Sequence, residues 1–325
     1  MNKEVIEREL IQRAGRWTSG QDLAEALGIS RAAVWKAVES LRADGYEIEA
    51  SRRGYRMRSA PDLLREEVVK ADLATEFVGR TFIYHPTLAS TNAEAKRIAP
   101  SAEDGTVVVA EVQTAGRGRM ERPWSSPQGG VWMSVILKPD IPPALAFRVN
   151  IAASVAVAKA LAALYRLDVK IKWPNDLTVG EKKVCGILTE IGAEMDTLDY
   201  AVVGIGINAN LDPASLPEGW KATSISREGG GDIQRVELVQ RALEELERCY
   251  GEMTTSFDLI HQEWSSRSST LGRRVKIITR SCEFEGTAEA LEADGALLVR
   301  KDDGSMERVL AGDCVHLRPA MDEDV

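Results

Sequence analysis

The spacing of apolar residues changes twice along this chain of 325 residues, near residue 60 and again near residue 270. Before the first change, apolar residues recur at helical spacing in three short segments and then alternate as in a hairpin. Between the two changes, strand patterns and helical patterns follow each other. After the second change only short strand patterns remain. We therefore predict three domains, residues 1–60, 63–266 and 270–320, with a linker at 59–62.

The first segment is typical of a winged helix-turn-helix. Ser19 is placed to cap a second helix, Gly28 to end it, and Ser30 to cap a third helix that stops at Gly45. A β-hairpin is predicted over 46–57. Three helices followed by a hairpin also suit a domain that packs only against other proteins, so the pattern alone leaves two interpretations open.

The charge of the first segment favours nucleic-acid binding. Residues 1–60 carry 11 Lys and Arg against 9 Asp and Glu, whereas the whole chain has a net charge of -9. The outer face of the third helix would then enter a major groove, and the tip of the hairpin would contact phosphates. The predicted DNA-binding residues are Arg31, Ala32, Trp35 and Lys36 on the helix and Arg52 and Arg53 at the hairpin tip.

The remaining segments predict a multidomain α+β protein. Turns between the central strands indicate antiparallel pairing, and successive runs of strands and helices favour α+β over a doubly wound sheet. The apolar stretch 151–165 is interrupted by Lys159 and is predicted to be a buried helix, too short for a bilayer. The predicted strands are 81–85, 106–113, 131–138, 169–173, 184–191 and 200–208, the helices 92–99, 145–165 and 236–264, and 270–320 is predicted to be a small β-barrel.

Other features of the composition are those of a cytoplasmic protein. The four cysteines lie far apart without a CxxC pair, which argues against a disulfide framework or a zinc site. The charged N-terminus has no apolar core of a signal peptide. With 44% hydrophobic and 28% charged residues, the chain is expected to fold rather than remain disordered.

Two segments are suited to binding an anion. Glycines allow backbone amides to approach an anion closely, and arginines form paired hydrogen bonds with phosphate. The second of these segments, the glycine- and arginine-rich loop at 113–119, lacks both the dinucleotide fingerprint and the Gly-Lys-Ser/Thr of a Walker loop. An ordinary helix cap and a solvated basic loop are the alternatives. The residues are Ser90, Thr91 and Asn92 at a strand-to-helix junction, and Gln113, Gly116, Arg117, Gly118 and Arg119 in the loop.

Two further segments complete the candidate site. Lys172-Trp173-Pro174-Asn175-Asp176 ends a strand, and the oxygens of Asn175 and Asp176 are suited to Mg²⁺. Lys183 opens the returning strand and is placed to direct its ammonium to the same site, although a single lysine is more often a surface charge. In Gly204-Ile205-Gly206-Ile207-Asn208, alternating glycines would let a flat group lie against the strand, and the Asn208 amide could bind a purine edge.

Taken together, the Gly-Arg-Gly-Arg loop, Lys-Trp-Pro-Asn-Asp and the following Lys-x-x-Gly-Ile-Leu resemble the biotin protein ligase family in its bifunctional ligase–repressor form, over nearly the whole chain. The resemblance implies ATP and biotin as substrates with Mg²⁺, a biotinyl-5'-AMP intermediate, and transfer to a lysine of a biotin carboxyl carrier protein. It also implies operator DNA as a partner and a homodimer when the ligand is bound.

The resemblance also implies roles for individual residues. Ser90, Thr91, Gln113 and the stretch 117–119 would line the biotin and phosphate site, with Arg119 retaining the adenylate. Lys183 would bind the biotin carboxylate and then the α-phosphate, and Asn208 would face the adenine. Trp124 and Trp220 are weaker candidates for covering the ligand, and core packing is the alternative for each.

One position departs from the family pattern. Glu121 stands where many members have glycine, which puts loop closure and adenylate retention in question. Two other functions remain open at this point. A lipoate ligase shares the catalytic pattern, and the alternative from another class is a non-catalytic transcription factor whose sensor binds a small acid.

Overall fold

The structure is a computed structural model that describes residues 2–194, 196–212, 221–279 and 282–317. The chain divides into two compact units. One contains Met1–Ala74 with Gln234–Gln240, and the other contains Thr75–Ile233 with Arg241–Val325. The first unit therefore extends beyond residue 60, whereas the division into three domains at the predicted boundaries remains a prediction.

The first unit is a helical domain with a hairpin, as predicted. Local signals set its helix ends: the Ser19 hydroxyl accepts hydrogen bonds from the backbone after it, Gly28 is left-handed at φ 63°, and the Ser30 hydroxyl accepts from the Ala33 N–H. Apolar residues from all three long helices and the hairpin form its core. The elements are α1 (Asn2–Gln12), α2 (Gly20–Leu27), α3 (Arg31–Ala43), β1 (Glu47–Ser51), β2 (Gly54–Ser59) and α4 (Glu66–Lys70).

The predicted linker is held by ion pairs inside the first unit. The Asp62 carboxylate lies 2.6 Å from the guanidinium of Arg235, which is almost completely buried. Arg65 pairs with Asp44 at 2.9 Å and contacts the buried Glu7 at 3.4 Å. The ion-pair partners are distant in sequence, so a local pattern could not predict this anchoring.

The second unit contains a mixed seven-stranded sheet. Its order is β3-β4-β5-β9-β8-β7-β6, with β3 and β4 parallel and the other pairs antiparallel, which confirms the predicted antiparallel pairing of the later strands. The strands are β3 (Phe82–Leu88), β4 (Thr106–Gln113), β5 (Val131–Leu137), β6 (Val169–Lys172), β7 (Asp176–Val179), β8 (Lys182–Glu194) and β9 (Thr197–Ile207). The short β7 was not predicted because four residues between two turns give too little pattern.

Beyond residue 90, the described residues form five further α-helices. They are α5 (Thr91–Ile98), α6 (Phe147–Tyr165), α7 (Ile225–Gly229), α8 (Arg235–Thr255) and α9 (Phe257–Arg267). The prediction of one helix over 236–264 was wrong, because Ser256 leaves helical geometry at φ -154° and ψ 68°. Helix α7 was also missed.

Helix α6 forms the apolar centre of the second unit. The run Pro143–Tyr165 is 23 residues long, and by length and composition it could cross a membrane, contrary to the length argument from sequence. However, 72% of its most apolar window is buried, and its neighbours include β6, β8 and α9. The prediction of a buried core helix is therefore confirmed by burial rather than by length.

The C-terminal part of the second unit is an antiparallel five-stranded sheet. Its strands are β10 (Arg274–Ile278), β11 (Glu283–Leu291), β12 (Leu297–Lys301), β13 (Met306–Val309) and β14 (Asp313–His316), in the order β13-β12-β11-β10-β14. The sequence pattern predicted only short strands in this segment, and its described residues confirm this. Among the described residues the edge strands β13 and β14 are not paired with each other, so the sheet does not show the closed barrel that was expected.

Candidate functional site

A cavity of about 640 Å³ opens in the second unit beside the seven-stranded sheet. Its walls come from the start of α5, the loop after β4, the turn between β6 and β7, strands β8 and β9, and strand β14 of the C-terminal sheet. The structure thereby brings ten of the predicted site residues together: Ser90, Thr91, Asn92, Gln113, Arg117, Gly118, Arg119, Asn175, Asp176 and Lys183.

The cavity has a strong excess of positive charge. Its described lining holds six Lys and Arg side chains and two Asp side chains, in a chain whose overall charge is -9. Low-dielectric walls concentrate such a field inside a cleft. The cations are Arg117, Arg119, Arg122, Lys172, Lys183 and Lys221, and the carboxylates are Asp176 and Asp313. The cavity is therefore suited to a ligand with several negative charges.

The arginines of the loop differ in their partners. Arg117 pairs with Glu121 at 2.9 Å, and Arg122 pairs with Asp313 of β14. Arg119 is partly buried and forms no ion pair within the described part of the chain; burial lowers its pKa, while Asp313 and Asp176 oppose that shift. A partly buried guanidinium without a salt-bridge partner gains from meeting an anionic ligand.

Lys183 is held at the cavity by two contacts. Its ammonium lies 2.6 Å from a carboxylate oxygen of Asp176 and 4.8 Å from the centre of the Trp124 ring. The neighbouring Asn175 donates its amide to the Ile187 carbonyl at 2.6 Å, which leaves the amide oxygen for another donor or a cation. The predicted convergence of Lys183 on the Asn175-Asp176 turn is thus present in the geometry.

A hydrogen-bond network fixes the first predicted segment. Ser90 is the N-cap of α5, as in the simpler of the two interpretations. The Thr91 N–H donates to the Gln113 side-chain oxygen at 2.8 Å, and the Gln113 amide donates to Ser126 at 2.8 Å. The Asn92 oxygen accepts from Ser134 at 2.6 Å. These side chains are buried or half-buried and already oriented, so this part of the cavity is preformed.

Glycines of the central strands make room for side chains of the site. A Cβ on Gly204 would lie 2.0 Å from the Asn92 oxygen, and one on Gly206 would lie 2.7 Å from the Trp124 indole nitrogen. The flat group that lies against Gly206 in this structure is therefore the Trp124 indole. Trp124, named from sequence only as a weaker candidate, is a wall of the cavity.

Some predicted residues do not reach the cavity. The Asn208 side chain is buried, donates to the Thr223 carbonyl at 3.0 Å and is not part of the cavity lining. Gly116 also lies outside the lining, because it packs against the backbone of Trp124. Trp220 lies outside the described residues.

Glu121, which stands where many family members have glycine, lies in a strained part of the backbone. Met120 and Glu121 have φ values of 55° and 58°, a left-handed conformation that costs a non-glycine residue about 1–2 kcal/mol. Glycine at position 121 would avoid this cost, and Glu121 instead adds the ion pair with Arg117. The loop after β4 therefore combines backbone strain with a local charge contact.

Several lining residues were missed from sequence. Arg122 stands three positions after Arg119, and the density of arginines in the loop could have identified it. Asp313 and Cys314 of β14 line the cavity from the C-terminal sheet, far along the chain, and carry no sequence signal. Lys221 also lines the cavity and likewise carries no sequence signal.

The predicted DNA-facing side chains form an exposed set in the first unit. Trp35 is 54% exposed although it is a large aromatic residue, and it lies on the outer face of α3. The other predicted residues, Arg31, Ala32, Lys36, Arg52 and Arg53, are also exposed. Arg56 and Arg58 differ from Arg52 and Arg53 because both pair with Glu49.

Comparison with known proteins finds three family models that match parts of the chain. Residues 3–56 match the model of an HTH domain, residues 84–208 that of the biotin/lipoate A/B protein ligase family, and residues 270–317 that of the biotin protein ligase C terminal domain.

Relatives match over most of the chain. The bifunctional ligase/repressor BirA of Bacillus subtilis is 42% identical over 94% of this chain and 95% of its own length. BirA of Escherichia coli is 29% identical, with 89% of each chain covered. The solved biotin protein ligase of Aquifex aeolicus in complex with biotin and ATP is 28% identical with a TM-score of 0.63, covering 74% of this chain and 100% of that one. The chain therefore belongs to the biotin protein ligase family, in its bifunctional ligase/repressor group.

Proposed function

We propose that this chain is an ATP-dependent biotin protein ligase that forms biotinyl-5'-AMP, transfers biotin to a lysine of a biotin carboxyl carrier protein, and represses biotin genes by binding operator DNA. The observation that carries the ligase assignment is the cavity with six cations and two carboxylates in an acidic chain. A triphosphate and a carboxylate are the substrates of adenylation, and both are anions.

The first step joins these two anions. A carboxylate oxygen of biotin attacks the α-phosphorus of ATP, the bond from this phosphorus to the bridging oxygen breaks, and pyrophosphate leaves. The protein positions the reactants and neutralises charge, and no covalent enzyme intermediate is needed. In this proposal Lys183 and Arg119 contact the carboxylate and the α-phosphate, and the preformed network of Ser90, Thr91 and Gln113 holds the biotin end.

The second step uses the carrier protein. The neutral amine of its lysine attacks the carbonyl carbon of the mixed anhydride, AMP leaves, and the amine loses a proton. Arg119 supports retention of the intermediate until then, because it is the loop arginine without a salt-bridge partner in the described structure. Since ligand contact would order the loop, retention and loop closure are coupled in this proposal.

Magnesium would enter with ATP. Among the residues that the structure describes, no group of three or more His, Cys, Asp or Glu side chains could hold a metal ion. This fits Mg²⁺ bound mainly by phosphates and water, with one carboxylate from the protein. Asp176 and the free oxygen of Asn175 are the proposed contacts.

The repressor role is proposed for the first unit. The exposed residues of α3 would read a major groove, and Arg52 and Arg53 would contact phosphates. One such domain offers few cations, so a ligand-loaded homodimer that reads two half-sites is proposed, in the cytoplasm where both DNA and carrier protein occur.

One incubation tests the ligase assignment. The full chain is mixed with ATP, Mg²⁺ and a carrier domain, with biotin, lipoate or neither acid, and the carrier mass is measured. Addition of a biotinyl group only in the biotin sample supports the proposal. Modification by lipoate instead would identify a lipoate-type ligase. An unmodified carrier in all three samples would contradict both ligase functions and favour the non-catalytic transcription factor.

A further inference from the structure

A short segment after α9 runs beside the strand that leads to the active-site turn. Ser268 is paired in parallel with Ile171 of β6, and the Ser269 N–H donates to the Ile171 carbonyl at 2.9 Å. The next residue, Thr270, is completely buried and faces Trp173, the first residue of the turn.

The Thr270 hydroxyl joins two elements. It accepts the Trp173 N–H at 3.0 Å and lies 3.0 Å from the His316 Nε2 atom at the end of β14. A hydroxyl carries one proton, and in the described structure His316 is its only acceptor, so the buried proton is satisfied when Thr270 donates to Nε2. That direction requires a neutral imidazole.

The surroundings keep His316 neutral. Burial lowers its pKa to about 4; the charges of Lys172 and Arg273 act in the same direction, and only Glu181 opposes them. The bridge from Trp173 through Thr270 to His316 is therefore intact at neutral pH.

The two ends of this bridge lead to two segments that line the cavity. Trp173 opens the turn that carries Asn175 and Asp176, and Asp176 holds Lys183. His316 ends the strand whose first residue, Asp313, pairs with Arg122. The Trp173 indole adds a second anchor by donating to the Gly295 carbonyl at 3.1 Å.

We propose that Thr270 is a positioning residue for adenylation, which fixes the turn carrying Asp176 against the strand carrying Asp313 by bridging Trp173 and His316. The proposal rests on the proposed ligase function. Thr270 does not line the cavity; it acts through the placement of these two segments, and small displacements of reacting groups are costly in rate.

The test compares Thr270→Val, which keeps the shape and removes the hydroxyl, with Thr270→Ser, which keeps it. Thr287→Val makes the same change on β11, where Thr287 has no side-chain hydrogen bond in the described structure and does not line the cavity. Biotin-dependent ATP–pyrophosphate exchange is measured in the full chain below its unfolding temperature. We expect Thr270→Val to lower kcat by about 10- to 100-fold without a significant change in KM for biotin, Thr270→Ser to recover most of it, and Thr287→Val to match wild type.

Hydrogen exchange gives a readout that does not need activity. The peptide covering residues 171–177 should exchange faster in Thr270→Val than in wild type or Thr270→Ser. Wild-type kcat in Thr270→Val, or an equal loss in Thr270→Ser and Thr270→Val, would overturn the proposal. If the wild-type chain itself forms no adenylate, the proposed ligase function is wrong. Separately, an unchanged rate of hydrogen exchange in residues 171–177 of Thr270→Val would show that Thr270 does not hold the turn.

Discussion

At the scale of single residues, the cations of the cavity are prepared in two ways. Lys183 and Arg117 are held by the carboxylates of Asp176 and Glu121, whereas Arg119 has no ion pair in the described structure. A held lysine loses less side-chain freedom when an anion arrives, but it must share its ammonium with the carboxylate. An unpaired arginine keeps its full attraction for the ligand.

Lys183→Ala tests the role of the held lysine. Removal of a donor directed at developing phosphate charge typically lowers a rate by about 10²–10³, so we expect that loss in biotin-dependent ATP–pyrophosphate exchange. Lys182→Ala is a matched control, since Lys182 is the preceding residue, is 54% exposed and pairs with Glu228 instead. Equal exchange rates in the two variants would contradict the role of Lys183.

Backbone strain at Glu121 predicts an unusual order of stabilities. Because Glu121 is left-handed, Glu121→Gly should be more stable than Glu121→Ala by about 1 kcal/mol, measured by urea unfolding. Both variants lack the Arg117 ion pair, so the comparison isolates the backbone. Arg248, an exposed residue inside α8, is the control position. There Arg248→Gly should be less stable than Arg248→Ala by about 1 kcal/mol. The same order at both positions would show that the strain is absent.

At the scale of elements, strand β9 serves the site through glycines that leave room for side chains from other segments. Gly204 and Gly206 of β9 lie opposite Leu188 and Gly186 of β8, and their missing side chains are replaced by Asn92 and Trp124. Strand β9 is thus a packing surface for side chains of the site, and its glycines are required by tertiary contacts rather than by a turn.

Gly204→Ala should therefore destabilise the fold. The new Cβ would lie 2.0 Å from the Asn92 oxygen, and overpacking of this kind costs about 1–3 kcal/mol. Gly251→Ala should have the opposite sign, because Gly251 lies inside α8 with no atom within 4 Å of an added Cβ, and alanine favours a helix by about 1 kcal/mol. Thermal or urea unfolding measures both, and a stabilising Gly204→Ala would refute the packing argument.

At the scale of the whole molecule, charge is divided between two tasks. Residues 1–60 have a small positive net charge in an acidic chain, and a second local excess of cations lies inside the cavity. In the first unit, the single carboxylate of Glu49 pairs with both Arg56 and Arg58 and offsets one of their two charges, so fewer cations are available to DNA than the sequence suggests.

The salt dependence of DNA binding should reveal this difference. Duplexes are first selected by the protein from a random library, and affinity is then measured against salt concentration with biotin and ATP present. Arg52→Ala with Arg53→Ala should weaken binding and reduce the slope of log affinity on log salt by about 1 for each phosphate that the protein no longer neutralises. Arg58→Ala, by comparison, should change the slope little because Arg58 is already paired. An equal effect of Arg58→Ala would contradict this assignment.

Much of the fold and part of the site could be predicted from sequence. Helix caps at Ser19 and Ser30, the left-handed Gly28 and the strand at 106–113 depend on neighbouring residues, and local patterns carry that information. The loop with Arg117 and Arg119 was identified because glycines and arginines at close spacing have few other uses.

The remaining features were decided by contacts between residues far apart in sequence. Asn208 was expected to face the ligand, but its amide donates to the Thr223 carbonyl. Asp313, which lines the cavity, was not predicted as a site residue. A local pattern specifies which groups a segment offers, since backbone geometry and chemistry are local. Which of those groups line the cavity, and which are satisfied by another segment, depends on packing of the whole unit. Only the tertiary structure determined that distribution.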